Sequence, residues 1–122
     1  MRAQRPKYRA VPTVVHGFRF ASKAESRRYQ ELLLLGQAGE IRNLELQPRF
    51  PLNVDGVTVA TYVADFRYEE RYVSSRDGVP MGWAWRDVVE DVKGVRTPMY
   101  RLKKKFVEAQ HSVTIREIGK PR

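Results

Sequence analysis

Residues 83–94 read WAWRDVVEDVKG, and the stretch ends in Glu90, Asp91 and Lys93. On a strand, alternate side chains share a face, so Asp91 and Lys93 point one way and Glu90 the other. An Asp-x-Lys at a strand end can hold a divalent cation with its carboxylate. It can also set an ammonium beside the point where water attacks a phosphate. A hard ion such as Mg²⁺ takes oxygen ligands, usually from more than one carboxylate, so a partner acid is expected. Asp65, in TYVADFRY, is the candidate. It stands among apolar strand neighbours, where a bare carboxylate is costly unless paired or metal-bound. A hairpin about residues 74–82 would put Asp65 opposite the region of residue 88, a few residues from Asp91.

Glu25 is the third acid. Ser22-x-x-Glu25 is also a capping box, which alone would account for both residues. Asp91 with Lys93 could equally be a same-face ion pair, and Asp65 could pair with Arg67. As a set these structural readings compete poorly, because two strand-interior acids and a lysine are expensive unless they share a purpose.

The elements that must position these groups follow from pattern. Residues 13–20, TVVHGFRF, read as a small hairpin turning at His16-Gly17. A helix is expected over 22–38, with Ser22 as N-cap, an apolar stripe through Tyr29 and Leu32, and Gly36 or Gly39 to end it. Residues 44–54 read as an edge or bulged strand because of Pro48 and Pro51. Asp55-Gly56 is a hairpin turn, and 57–72 reads as one long strand. Residues 74–82, SSRDGVPMG, read as a turn or mobile loop, and 83–93 as the next strand. Trp83 and Trp85 share a face there and read as core or subunit interface. Gly94 breaks the strand. Thr97 and Pro98 open a helix to about Gln110, and 113–118 is a last strand. The final strand follows a helical crossover and can lie parallel to its partner. The expected class is α/β, a mixed sheet with a helix on each side.

The chain has 122 residues, enough for one domain with a real core. Residues 13–122 form that domain, preceded by a flexible basic arm over 1–12. There is no cysteine, which excludes disulfides and thiolate metal sites and fits an intracellular protein. The longest strongly apolar run, Leu32 to Leu35, is far too short to span a bilayer. Twenty-three Lys and Arg oppose fourteen Asp and Glu, a net charge of +9. A small domain this basic usually meets a polyanion, with nucleic acid the leading partner.

Glu25 on an early helix, Asp65 after a hairpin, Asp91-Val92-Lys93 on the next strand and the basic helix RTPMYRLKKKF come in a telling order. The chain resembles the PD-(D/E)XK nuclease superfamily, and within it a group of small phage-encoded nucleases related to endonuclease I and archaeal-type Holliday junction resolvases. The resemblance covers nearly the whole chain. Ala64 stands where the motif name has proline, and Asp91 where many resolvases have Glu. The resemblance implies a restriction-endonuclease-like core and metal-assisted phosphodiester hydrolysis. Asp65, Asp91 and the Val92 carbonyl would ligate Mg²⁺, with Mn²⁺ substituting. Glu25 would complete the site or help a second ion. Lys93 would orient or activate the water, and Gln47 would hydrogen-bond it as an auxiliary. Arg96, Arg101, Lys103, Lys104 and Lys105 would meet flanking phosphates. Tyr100, Leu102 and Phe106 are expected to pack inward. The implied activity is a structure-selective endonuclease that makes paired cuts in four-way junctions, acting as a homodimer in the cytoplasm of a phage's host. The alternatives are a related nuclease acting on other branched, nicked or duplex DNA, or a non-catalytic basic nucleic-acid-binding module.

Overall fold

A computed structural model of the chain describes residues 13–119. The basic arm over 1–12 and the last three residues of the GKPR tail lie outside the described residues. A β-hairpin comes first, β1 (Thr13–Val15) with β2 (Phe18–Phe20), followed by helix α1 (Lys23–Gln37). Five strands follow: β3 (Ile41–Leu46), β4 (Arg49–Val54), β5 (Val57–Val63), β6 (Phe66–Arg76) and β7 (Val79–Val92). Helix α2 (Pro98–His111) and strand β8 (Ile115–Ile118) complete the order. The central sheet runs β3-β6-β7-β8. Its first three strands are antiparallel, and β8 lies parallel to β7. The expected mixed sheet flanked by two helices is therefore present. Among the described residues, no helix is long and apolar enough to cross a membrane.

Two expected strands are broken, and the breaks share a cause. The stretch 44–54 divides at Gln47, whose φ of 51° turns the chain before Pro48. The stretch 57–72 divides at Ala64-Asp65. Backbone hydrogen bonds tie the two bends together: Gln47 N donates to Asp65 O at 2.9 Å, and Ala64 N to Pro48 O at 3.1 Å. Beyond them β4 and β5 form a separate hairpin that leaves the central sheet and packs on α2. Asp65 is thus a corner residue where a mid-strand residue was expected.

The expected loop over 74–82 is instead paired strand. Strands β6 and β7 stay paired out to Arg76 and Val79, and only Asp77-Gly78 turns. Their φ values of 52° and 79° match a two-residue primed turn, which Asp-Gly favours because both positions need positive φ. Ser, Gly and Pro composition hid this, together with a bulge beside Gly82. The two candidate acids are therefore separated by a continuous ribbon.

Alternation along β7 divides the core. Val88 joins Phe20, Tyr29, Leu32, Ile41, Phe66 and Tyr68 under α1. Val89 joins Phe50, Leu52, Tyr62, Ala64, Val107 and Ile115 under α2. Trp83 is 64% exposed and Trp85 half-buried, so neither belongs to the core. Arginines stack on both, Arg71 on Trp83 at 4.2 Å and Arg42 on Trp85 at 4.1 Å. Leu102 is also exposed, while Tyr100 and Phe106 do pack inward.

Glu90 follows Val88 on the α1 side and is fully buried. Arg28 of α1 grips it in a bidentate pair, Nε to Oε1 at 2.9 Å and Nη2 to Oε2 at 2.6 Å. The Tyr68 hydroxyl donates a short hydrogen bond to the same carboxylate. Removing one partner of such a pair strands a buried charge and costs about 3–5 kcal/mol. Arg28→Leu should therefore destabilise the fold by about that much in urea unfolding. Arg28→Leu with Glu90→Leu should recover most of the loss, because an apolar pair of similar volume needs no desolvated charge.

Candidate active site

The site lies where the corner at Ala64-Asp65 meets the end of β7. Asp65 N donates to Glu90 O at 3.1 Å, continuing the β6–β7 ladder one residue past its last pair, Phe66 with Glu90. Asp65 therefore stands beside Asp91, closer than the sequence reading placed it. Its Oδ2 accepts from Val92 N at 2.7 Å, which fixes the carboxylate against β7.

Asp91 is 1% exposed, and neither side-chain oxygen has a hydrogen-bond partner. Lys93 Nζ lies 3.9 Å from Oδ1, on the face parity assigns it. Burial pushes the Asp91 carboxyl up to about 6, against the pull of Lys93 and of the Asp65 backbone amide. A buried carboxylate without donors is costly, and groups of this kind cluster at functional sites.

Glu25 reaches the same place from α1. Ser22 Oγ accepts from Glu25 N at 3.2 Å, so the cap exists through the backbone. The Glu25 carboxyl is buried and hydrogen-bonds Asp65. Burial, then the Asp65 charge, pushes Glu25 up to about 8, with Asp91 adding and Lys93 opposing. Asp65 is raised mainly by burial, while the bonds from Val92 N and Glu25 pull it down. Burial and the neighbouring charge thus favour the protonated form of Glu25 most, while the Val92 amide favours the charged form of Asp65. The cap therefore uses the Glu25 backbone and leaves its side chain free to reach Asp65.

Glu117 was missed. It pairs across from Asp91 on β8, and no motif in IREI marks it. Its register opposite Asp91 becomes visible only once β8 is known to run parallel. Glu117 Oε2 accepts from the Tyr100 hydroxyl at 2.8 Å and Arg96 Nε at 3.0 Å, and Lys104 Nζ lies 3.7 Å from Oε1. Burial draws Glu117 upward, but Tyr100, Lys104 and Arg96 outweigh it and hold it below the usual range. The Tyr100 ring also carries Lys93 Nζ at 4.4 Å from its centroid. Two of the five expected phosphate-binding cations, Arg96 and Lys104, are thus engaged inside the fold. Arg101 and Lys105 are exposed one helical turn apart, and Lys103 is half-buried.

Gln47 lies in the bend between β3 and β4, not on a strand. Its backbone amide donates to Asp65 O. Its exposed side chain lines a groove of about 270 Å³ with Phe18, Arg19 and Leu46. His16 and His111 pack edge-on against Tyr29 and Phe50.

Among the described residues, no three acidic or histidine side chains form a ready-made metal cage. The donor set that fits a hard cation is smaller: Asp65, the donorless oxygens of Asp91 and the adjoining Val92 carbonyl, with Glu25 behind Asp65. These observations define a small mixed α+β domain with a buried acid-and-lysine cluster at a sheet corner. The chain belongs to the DUF1064 family, described as a protein of unknown function, which matches residues 5–118. No curated protein and no solved structure matches it.

Glu25 and Asp91 keep protons in the fold at pH values where the unfolded chain has lost them. The folded state then binds more protons, so stability falls as pH rises from the ordinary carboxylate range toward about 8. Glu70, held down to about 2 chiefly by Arg116, titrates below this window. Thermal melts without divalent metal should show Tm falling between about pH 5 and about pH 8, and Asp91→Asn should flatten the slope. A Tm rising steadily across that interval would contradict the protonation assigned here.

Proposed function

We propose that this protein is a divalent-metal-dependent nuclease that hydrolyses phosphodiester bonds, of the PD-(D/E)XK type its motif order resembles. The observation that carries the reading is Asp91: a fully buried carboxylate whose oxygens make no hydrogen bond of normal geometry, beside the Asp65 amide and flanked by Lys93. Asp65, Asp91 and the Val92 carbonyl would hold Mg²⁺, or Mn²⁺ in its place. When bound, such an ion supplies Lewis-acid activation of a phosphoryl oxygen and lowers the pKa of a water.

The chain's own residues do the rest. The Val92 amide fixes the Asp65 carboxylate against the end of β7, one residue past Asp91. Burial and the Asp65 charge favour the protonated form of Glu25, which would limit the negative charge gathered at the corner. Lys93, steadied over the Tyr100 ring, sets a positive charge beside the acids where negative charge develops on a phosphate. Arg101 and Lys105 are the exposed helix cations free to meet a flanking backbone. Contacts of that kind give affinity without sequence readout, which fits a substrate chosen by shape, a branched or four-way DNA junction.

The test is cleavage of a synthetic four-way junction, a flap, a duplex and a single strand, with Mg²⁺, with Mn²⁺ and with chelator. Paired symmetric cuts in the junction alone support the junction-resolving form, and cutting of every substrate supports a less selective nuclease. Asp65→Asn, Asp91→Asn and Lys93→Ala should each lower the cutting rate about 100-fold or more while binding persists. DNA binding without cleavage in any divalent metal overturns the proposal.

A further inference from the structure

Past the central sheet, β6 and β7 continue alone as a two-stranded ribbon. Strand β3 pairs with β6 only as far as Glu70, and a last bond joins Arg71 N to Glu40 O. Strand β8 pairs only with residues 89–92 of β7. Among the described residues, then, Tyr72 to Arg76 have no neighbour but β7. Five strand residues extend about 17 Å. Both outer edges of that ribbon are unpaired, and unpaired edges are templates for association.

Several of the ribbon's solvent-facing side chains are large and apolar. Met81 and Trp83 are more than 60% exposed, and Val73 and Val79 are also open. Val73 and Trp83 are cross-strand neighbours, so their surfaces join into one patch. Large exposed apolar patches mark interaction sites, and Trp is the residue most enriched at the energetic centre of interfaces.

Charge decides the partner. The chain carries +9, yet residues 72–84 hold one Arg and one Asp. At the ribbon's base every guanidinium already has a carboxylate: Arg42 with Glu69, Arg67 with Asp87, Arg71 with Glu40 and Arg86 with Glu70. Beside them a groove of about 350 Å³ is lined by Glu45, Glu69 and Asp87 against Arg67. Among the described residues a phosphate backbone would find Arg76 at the ribbon's tip without an ion pair, next to Asp77, and would face these acids at its base. Two copies of a chain this basic repel one another over most of their surface, and the neutral ribbon is where that repulsion is least. An isologous contact needs the same patch on both subunits, self-complementary about a two-fold axis.

We infer that the β6–β7 ribbon, centred on Val73, Met81 and Trp83, is a self-association surface, and that its partner is the same ribbon of a second copy of this chain. The inference names the surface for the two-fold dimer that junction cutting needs, but it stands on the ribbon alone and does not require the nuclease reading.

Sedimentation velocity of the full chain over a micromolar concentration series should show a dimer. Met81→Glu with Trp83→Glu should weaken its dissociation constant about 30-fold or more. Trp83→Ala, which adds no charge, should weaken it in the same direction, and far-UV circular dichroism should be unchanged because the side chains are solvent-facing. A monomeric wild type, or a double variant that dimerises as the wild type does, overturns the inference. So does a double variant that keeps its dimer and loses DNA binding, which would make the ribbon a nucleic-acid surface. Because sedimentation reads mass and not cutting, a catalytically dead protein that still dimerises through the ribbon would sink only the nuclease proposal.

Discussion

The bidentate grip of Arg28 on Glu90 is the interaction on which the arrangement of the site depends. Strand β7 must deliver two neighbouring acids into the interior, and alternation sends them to opposite faces. On the α1 face, Arg28 and Tyr68 satisfy Glu90 completely. That same grip fastens α1 across the sheet. Glu25 lies three residues before Arg28, on the same side of the helix, and the fastened helix carries it to the corner at Asp65. A helix free to slide by a fraction of a turn would lose that contact. The pair has a positioning role that an apolar substitute could not reproduce, even if it stabilised the fold equally well.

On the other face nothing comparable is done for Asp91. Its neighbours are an ammonium beyond hydrogen-bond range, the Asp65 backbone amide at the corner and Glu117 on the adjoining strand. No guanidinium or hydroxyl closes on it, as Arg28 and Tyr68 do on Glu90 one residue away. The contrast between the two acids, equal in burial and opposite in satisfaction, separates a structural carboxylate from one left open to a ligand. Glu117 gathers Tyr100, Arg96 and Lys104 instead, and thereby holds the ring on which Lys93 rests. Its contribution to the cluster is to steady the lysine's surroundings.

Much of this was legible in the sequence because it rests on local rules. The parity of Asp91 and Lys93 against Glu90 needed only the two-residue period of a strand, and the structure keeps it. Ser22 and Thr97 cap their helices as their residue types imply, and His16-Gly17 and Asp55-Gly56 turn where expected. What was not legible was set by contacts distant in sequence. The break at Ala64-Asp65 is made by Pro48 and Gln47, sixteen to eighteen residues earlier, and β-branched composition runs straight through it. Asp77-Gly78 carried the signal for a tight turn, but the surrounding Ser, Gly and Pro residues outweighed it. The basic run after Thr97 gave the sign of the helix surface but not its division, since only the position of Glu117 shows which cations are engaged.

Strand β7 is therefore asymmetric along its length, and the asymmetry is a consequence of its neighbours. Where β6, β8 and both helices surround it, Val88 to Asp91 are buried and each charge must be answered or left for a ligand. Where β3 and β8 stop, the same strand runs on with one partner, and its tryptophans are covered on one side by arginines and open on the other. A ribbon of two strands with exposed apolar side chains is marginal in water by itself. The Arg–Trp stacks and their carboxylate partners stiffen its base, which leaves the neutral tip as the least supported part of the fold. Mg²⁺ at one end and a second copy at the other would complete the strand in the two places where the single chain leaves it unfinished.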